Sequence, residues 1–328
     1  MTDTDATPRR ATTAEGIRRR MAGFATREGL RRGLGFRPRP TDVLIATYPK
    51  AGTTLMQQIV HGLRTGGDMD FDEITEVVPW IEVAHDIGLD LDAPQRAAPR
   101  AFKTHLSRDL APKGGRNIFV VRDPVDSLVS FFHFFSGWVF EPGTVSIRDF
   151  ALDFVFHGTR SGRYWDHLVS WWPKRLDPDT LWLCFEDIVA DLPAATARVA
   201  AFLNLDPEHP NIEVATRQAS IDFMREHGSK FDDHLVRNAR NAACGLPASG
   251  TTSKVRKGKS GEGSREVPPE VMDVWDQEWQ RIVEPATGHG SYEALLRSAA
   301  DRRAYSATSS PRRGRRRGSQ GARDKRLP

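Results

Sequence analysis

Val43-Leu44-Ile45-Ala46-Thr47-Tyr48-Pro49-Lys50-Ala51-Gly52-Thr53-Thr54 is the stretch on which the fold of this chain turns. Val43 to Ala46 are apolar and partly β-branched, which predicts a short buried strand. Pro49 to Gly52 break it, and Leu55, Ile59 and Leu63 then recur at helical spacing. Strand, tight loop and helix start, in that order, aim backbone N–H groups and the positive end of a helix dipole at one point, where an anion can sit. Lys50 adds a full charge, Thr53 and Thr54 add hydroxyl donors, and Gly52 lets the backbone approach closely. An ordinary β–α turn with a solvated lysine is the plainer reading of an isolated Gly-Thr-Thr. The joined strand and helix favour the anion site.

The nucleotide-binding loop Gly-x-x-x-x-Gly-Lys-Ser/Thr does not fit, because Lys50 precedes the glycine and no glycine opens the stretch. Gly258-Lys259-Ser260 occurs later, but Ser253 stands where that motif needs its first glycine, and no strand precedes it. A P-loop-type nucleotide kinase would need that loop and acidic metal ligands, and neither is evident.

Further strands are expected at Ala101-Phe102-Lys103-Thr104-His105, Asn117-Ile118-Phe119-Val120-Val121 and Leu181-Trp182-Leu183-Cys184-Phe185. Uninterrupted apolar runs of this kind belong to parallel sheets covered on both faces. Amphipathic stretches at 125–135, 147–156, 164–172, 193–203 and 267–283 alternate with them. The pattern predicts an α/β fold with a central, mostly parallel sheet flanked by helices. Ligands of such sheets bind beyond the C-terminal strand ends, where the 48–54 loop and His105 both fall. A neutral His at that place suits proton abstraction from a nucleophile, which no other His position in the chain favours.

The net charge of +4 is unevenly spread. Residues 1–40 carry +6 and 301–328 carry +8, which leaves −10 for 41–300. A basic N-terminal extension over 1–37, partly disordered with a short helix at 17–24, is therefore expected. A domain over 38–300 and an Arg-rich disordered tail over 301–328 follow it. No aromatic residues are interleaved through Arg312-Arg313-Gly314-Arg315-Arg316-Arg317, so the tail reads as solvated, and no specific nucleic-acid partner is expected. Cys184 and Cys244 cannot build a disulfide framework, and no Cys/His cluster has zinc spacing, so no metal is expected. No apolar run reaches the ~18 residues of a membrane span, and no apolar leader follows the N-terminal charges. A cytoplasmic enzyme is the expectation.

Thr47-Tyr48-Pro49-Lys50-Ala51-Gly52-Thr53-Thr54 resembles the 5′-phosphosulfate loop of the cytosolic-type sulfotransferases. These enzymes use 3′-phosphoadenosine 5′-phosphosulfate (PAPS). Three later stretches match the same family in order. Lys103-Thr104-His105-Leu106 is similar to the segment bearing the catalytic base. Arg122, at a strand end with Ser130 eight residues on, is similar to the 3′-phosphate grip, a planar fork plus a hydroxyl. Arg256-Lys257-Gly258-Lys259-Ser260-Gly261-Glu262 resembles the Arg-Lys-Gly signature that adds cations at the same phosphate. Trp165-x-His167-x-x-x-Trp171-Trp172 and Phe185-Glu186-Asp187 echo the family's packing and adenine-side residues.

The resemblance implies a P-loop-NTPase-like topology and transfer of the PAPS sulfuryl group to a hydroxyl or amine of a small-molecule acceptor. It assigns His105, Lys50 and Lys103 to catalysis. It assigns Lys50, Ala51, Gly52, Thr53, Thr54, Leu55, Arg122, Ser130, Phe185, Arg256, Lys257 and Gly258 to the donor. Trp80, Phe134, Trp138 and Phe140 lie near the expected acceptor side, where they fit either an apolar or aromatic acceptor or, equally, the core. The chain also departs from the family. Leu55 replaces the usual Trp after the threonines, Ile221 replaces a Phe at the other adenine face, and Phe185 replaces a Tyr. The C-terminal dimer motif is not recognisable, so the sequence sets no oligomeric state.

Overall fold

Strand β1 (Val43–Thr47) lies between β2 (Ala101–Thr104) and β3 (Arg116–Val121), with β4 (Thr180–Cys184) beyond β3, and every pairing is parallel. This computed structural model describes residues 8–248, 250, 261 and 263–298. Arg256, Lys257 and Gly258, expected to assist at the donor, lie outside the described residues. The tail at 301–328 does as well.

The strands read as continuous apolar runs because both faces are covered. Ala46, Phe119, Val121 and Cys184 enter one core, while Val43, Ile45, Ile118, Val120 and Leu183 enter the other. Helices α1 (Ala14–Ala22) and α2 (Arg27–Gly35) precede the sheet, and α3 (Thr53–Thr65) follows β1. A short α4 (Ile74–Val77) stands before β2, and α5 (Pro124–Phe135) follows β3. Met56, Ile59, Val60 and Leu63 of α3 fill the second core, at the spacing read from the sequence.

Each strand ends within a residue of its expected limit. Phe185, read as the end of the fourth strand, instead opens a helix over Phe185–Ala190. The stretch at 147–156 is not one α-helix but a single turn, Ile147–Asp149, running into a π-type turn over Phe150–Val155. Among the described residues no helix is long and apolar enough to cross a membrane.

Where the structure describes it, from residue 8 to 37, the N-terminal segment packs on the domain, and the helix expected at 17–24 overlaps α1 (Ala14–Ala22). Thr13 and Thr26 cap α1 and α2 by accepting from the N–H groups of Gly16 and Gly29. Ile17, Phe24 and Ala25 are buried in the first core beside Trp138 and Phe154. The Arg240 guanidinium donates to the carbonyls of Gly23 and Phe24, at 2.8 and 3.0 Å, and fastens the end of α1 to the domain. Ala11 exchanges backbone hydrogen bonds with Val139 and Glu141, each 2.8 Å.

Candidate active site

The connection from β1 runs to the β2 side and that from β3 to the β4 side, so the sheet's switch point lies between β1 and β3. Both loops that leave these strand ends face one cavity of about 690 Å³. Lys50 (φ 68°) and Gly52 (φ 103°) turn the chain from β1 into α3 through positive φ. Gly52 is the N-cap of α3 and supplies no side-chain acceptor, so the first N–H groups of that helix have no cap from it. A side chain is excluded there, since a Cβ would meet the Phe185 ring at 2.7 Å.

Arg122, just past β3, closes the same end. Its Nη1 donates to the Lys50 carbonyl (3.1 Å), its Cζ lies 4.4 Å from the Phe185 ring centre, and Asp126 stands 3.8 Å away. Its Nε is buried with no hydrogen-bond partner among the described residues. Ser130, Thr54, Leu55 and Ile221 line this part of the cavity too. Asp123, not Asp126, caps α5 by accepting the Asp126 N–H (2.8 Å). Asp126 instead accepts from the N–H groups of Gly261 (2.7 Å) and Gly263 (2.9 Å).

His105 lines the same cavity. Its Nδ1 bonds the Thr47 carbonyl at 2.9 Å, and a carbonyl only accepts, so Nδ1 carries the proton and Nε2 holds the lone pair. Burial pushes the ring down to about 3, and the charge of Lys103 adds to that effect, so the imidazole is neutral at ordinary pH. Thr53 Oγ1 lies 2.6 Å from Thr47 Oγ1, which lies 3.3 Å from His105 Nδ1. The anion loop and the His105 ring are thus joined through Thr47. Lys103 is buried, with its ammonium 4.3 Å from the Trp80 ring centre and 3.7 Å from Asp233.

Two acidic groups at this point were missed in the sequence. Residues 79–82 run alongside β2: Lys103 N–H donates to Pro79 O (2.9 Å) and Ile81 N–H to Lys103 O (3.0 Å). The Glu82 carboxylate continues the ladder by accepting the His105 N–H at 2.7 Å. Burial raises the Glu82 carboxyl above its usual range. Asp233, in a left-handed conformation (φ 59°), brings its carboxylate to Lys103. No motif spacing marks either residue.

The remaining wall is aromatic. Phe24, Trp80, Phe134 and Trp138 line it, and the Lys50 ammonium rests 4.0 Å from the Phe134 ring centre. Phe140, expected on this wall, is instead fully buried and packs against Phe132 and Phe150. His167 is likewise a core residue, stacked on Phe119 at 5.7 Å. Among the described residues no group of three or more His, Cys, Asp or Glu could hold a metal ion.

A positive-φ turn into a helix start and a buried arginine at a sheet switch point, with a neutral histidine and aromatic side chains on the same cavity, are the features of this site. The sulfotransferase domain model matches residues 40–284, and the chain belongs to that family. It is a sulfotransferase. Human sulfotransferase 1E1 is 26% identical over 262 residues, covering 77% of this chain and 87% of its own length. Cytosolic sulfotransferase 1 of Danio rerio is 31% identical over 205 residues, covering 58% and 69%. Among solved structures, mouse sulfotransferase SULT7A1 complexed with PAP, the 3′,5′-bisphosphate, superposes with a TM-score of 0.60 at 22% identity, covering 79% and 90%. Retinol dehydratase in a complex with retinol and PAP gives 0.61 at 21% identity, covering 83% and 94%. Likeness at this identity shows the shared fold.

Proposed function

We propose that this sulfotransferase takes the sulfuryl group from PAPS and places it on a hydroxyl or amine of an apolar or aromatic small molecule in the cytoplasm. One observation supports the reading: the 49–54 loop, Arg122, His105 and the aromatic side chains of Phe24, Trp80, Phe134 and Trp138 all line a single cavity. The residues fit the donor, because Lys50, the unpartnered Arg122 Nε and the uncapped start of α3 offer cationic and N–H donors without an opposing carboxylate on that loop. The bound donor supplies an activated sulfuryl group on a phosphate leaving group.

His105 Nε2 takes the acceptor proton as the acceptor attacks. The proton on Nδ1, held by the Thr47 carbonyl, fixes which nitrogen is free to do so. Burial, with the charge of Lys103 adding to it, keeps the ring neutral beforehand, and Lys103 stands beside it as negative charge develops. Lys50 leaves the Phe134 face to meet charge on the departing phosphate. Arg122 and Ser130 hold the 3′-phosphate, with Arg256 and Lys257 adding cations and Gly258 close approach. Phe185 and Leu55 bound the adenine. Thr53, Thr54 and the N–H groups of 51–54 hold the sulfuryl oxygens.

Calorimetry tests the donor assignment. PAP is expected to bind without magnesium and more tightly than AMP by ~2–5 kcal/mol, the cost of leaving a buried cationic site unpaired. Equal affinities would overturn the 3′-phosphate site.

A further inference from the structure

We propose that the acceptor carries an anionic group, a carboxylate, at the end remote from the hydroxyl or amine to be sulfated, and that Arg18 and Arg160 receive it. The proposal rests on reading the aromatic chamber as the acceptor side. Arg18, Met21, Ala22 and Ala25 line the cavity from α1 and its C-terminal end, at intervals that place them on one face. Three arginines stand in a row here, and two are already engaged. Arg19 pairs with Glu15 at 3.0 Å on the outer surface, and Arg20 donates to the Gly245 carbonyl at 2.6 Å. Arg18 is exposed, faces the cavity and makes no hydrogen bond or ion pair among the described residues.

The second cation comes from across the chamber. Gly158, Thr159, Arg160 and Ser161 all line the cavity. Thr159 and Gly162 close this loop by exchanging backbone hydrogen bonds at 3.1 and 3.0 Å. Arg160 Nη2 donates to the Ala22 carbonyl at 3.0 Å, one helical turn from Arg18. The negative end of the α1 dipole accounts for Arg160 at Ala22, but it does not account for Arg18 turned to the same opening.

Among the described residues the acids on the cavity wall are Glu82 and Asp233, and these engage the His105 N–H and the Lys103 ammonium. Among the same residues no acid of the wall pairs with Arg18 or Arg160. A neutral apolar acceptor would leave Arg18 without a partner. A hydroxylated aromatic acid would satisfy them while its ring fills the chamber.

The test compares kcat/KM for 4-hydroxyphenyl alkanoates of increasing chain length, each against its own methyl ester, at low and high salt. Exposed charge pairs contribute little, about two- to fivefold each, so the acid is expected to be preferred by about five- to twentyfold at the chain length that reaches the arginines. High salt should erase most of that preference. In Arg18→Glu the ratio of acid to ester should fall to one or below, and in Arg18→Gln it should fall partway. Equal rates for acid and ester at every length, or a preference that survives Arg18→Glu, would overturn the inference and leave the sulfotransferase reading standing. Turnover of neither series would overturn the aromatic-acceptor reading and the inference with it.

Discussion

Gly52→Ala is a small change that should disable the donor end of the site while leaving the acceptor end intact. Two costs arise at once. The residue sits at φ 103°, where an L side chain is strained, at ~1–3 kcal/mol. The new Cβ would also stand 2.7 and 3.3 Å from two carbons of the Phe185 ring, so the ring must give way by the better part of an ångström. Overpacking of that kind typically costs ~1–3 kcal/mol. The sum is ~2–6 kcal/mol, or roughly 4–24 °C in Tm for a domain of this size. The binding loss comes from the neighbour. Phe185 carries the Arg122 guanidinium at 4.4 Å, and Arg122 in turn holds the Lys50 carbonyl. A displaced ring therefore displaces the fork that grips the 3′-phosphate. Calorimetry with PAP should show at least a tenfold loss of affinity, the effect of about 1.4 kcal/mol, with Tm measured in parallel. A variant with unchanged PAP affinity and an unchanged Tm would refute the claim that glycine is required there.

His105→Ala should lower turnover about 10²–10⁴-fold while PAP affinity stays nearly unchanged; retention of near-full turnover would remove His105 from the mechanism. With its ring held to about 3 by burial and Lys103, His105 of the unliganded protein should stay neutral in an NMR titration through mildly acid pH; a transition centred at about 6.5 would contradict that environment. Lys50→Met keeps the aliphatic stem on Phe134 and removes the charge, so kcat should fall by roughly 10²-fold or more, ahead of any rise in KM. A change confined to the KM for PAPS would make Lys50 a binding residue only.

The sheet and the turn from β1 into α3 were legible because their signals are local. Val43 to Ala46 are apolar on both faces, and a residue pair such as Lys50 and Gly52 has few reasons to interrupt a strand before a helix. The Arg122-to-Ser130 interval was legible for the same reason, being two turns of one helix. Of the N-terminal helices the first was legible in part, as the helix expected at 17–24, while α2 was not, because its arginines dominate the composition. What packs this segment down includes Ala14, Ile17, Phe24 and Ala25, recognisable only against the Trp138 wall they cover. Glu82 was hidden for another reason. It acts through a ladder that residues 79–82 form along β2, and a pairing between segments some twenty residues apart leaves no spacing signal. Phe140 misled because an aromatic residue near a site reads alike whether it faces a ligand or a core.

The central claim is sulfuryl transfer from PAPS through this cavity, and its direct test is transfer of radiolabelled sulfur. The full chain, incubated with PAPS labelled at sulfur and a panel of phenols, alcohols and amines without added metal, is expected to yield a labelled acceptor and one equivalent of PAP per transfer. His105→Ala should abolish most of that label. Label that never leaves PAPS with any acceptor, or that leaves at the same rate in His105→Ala, would contradict the account.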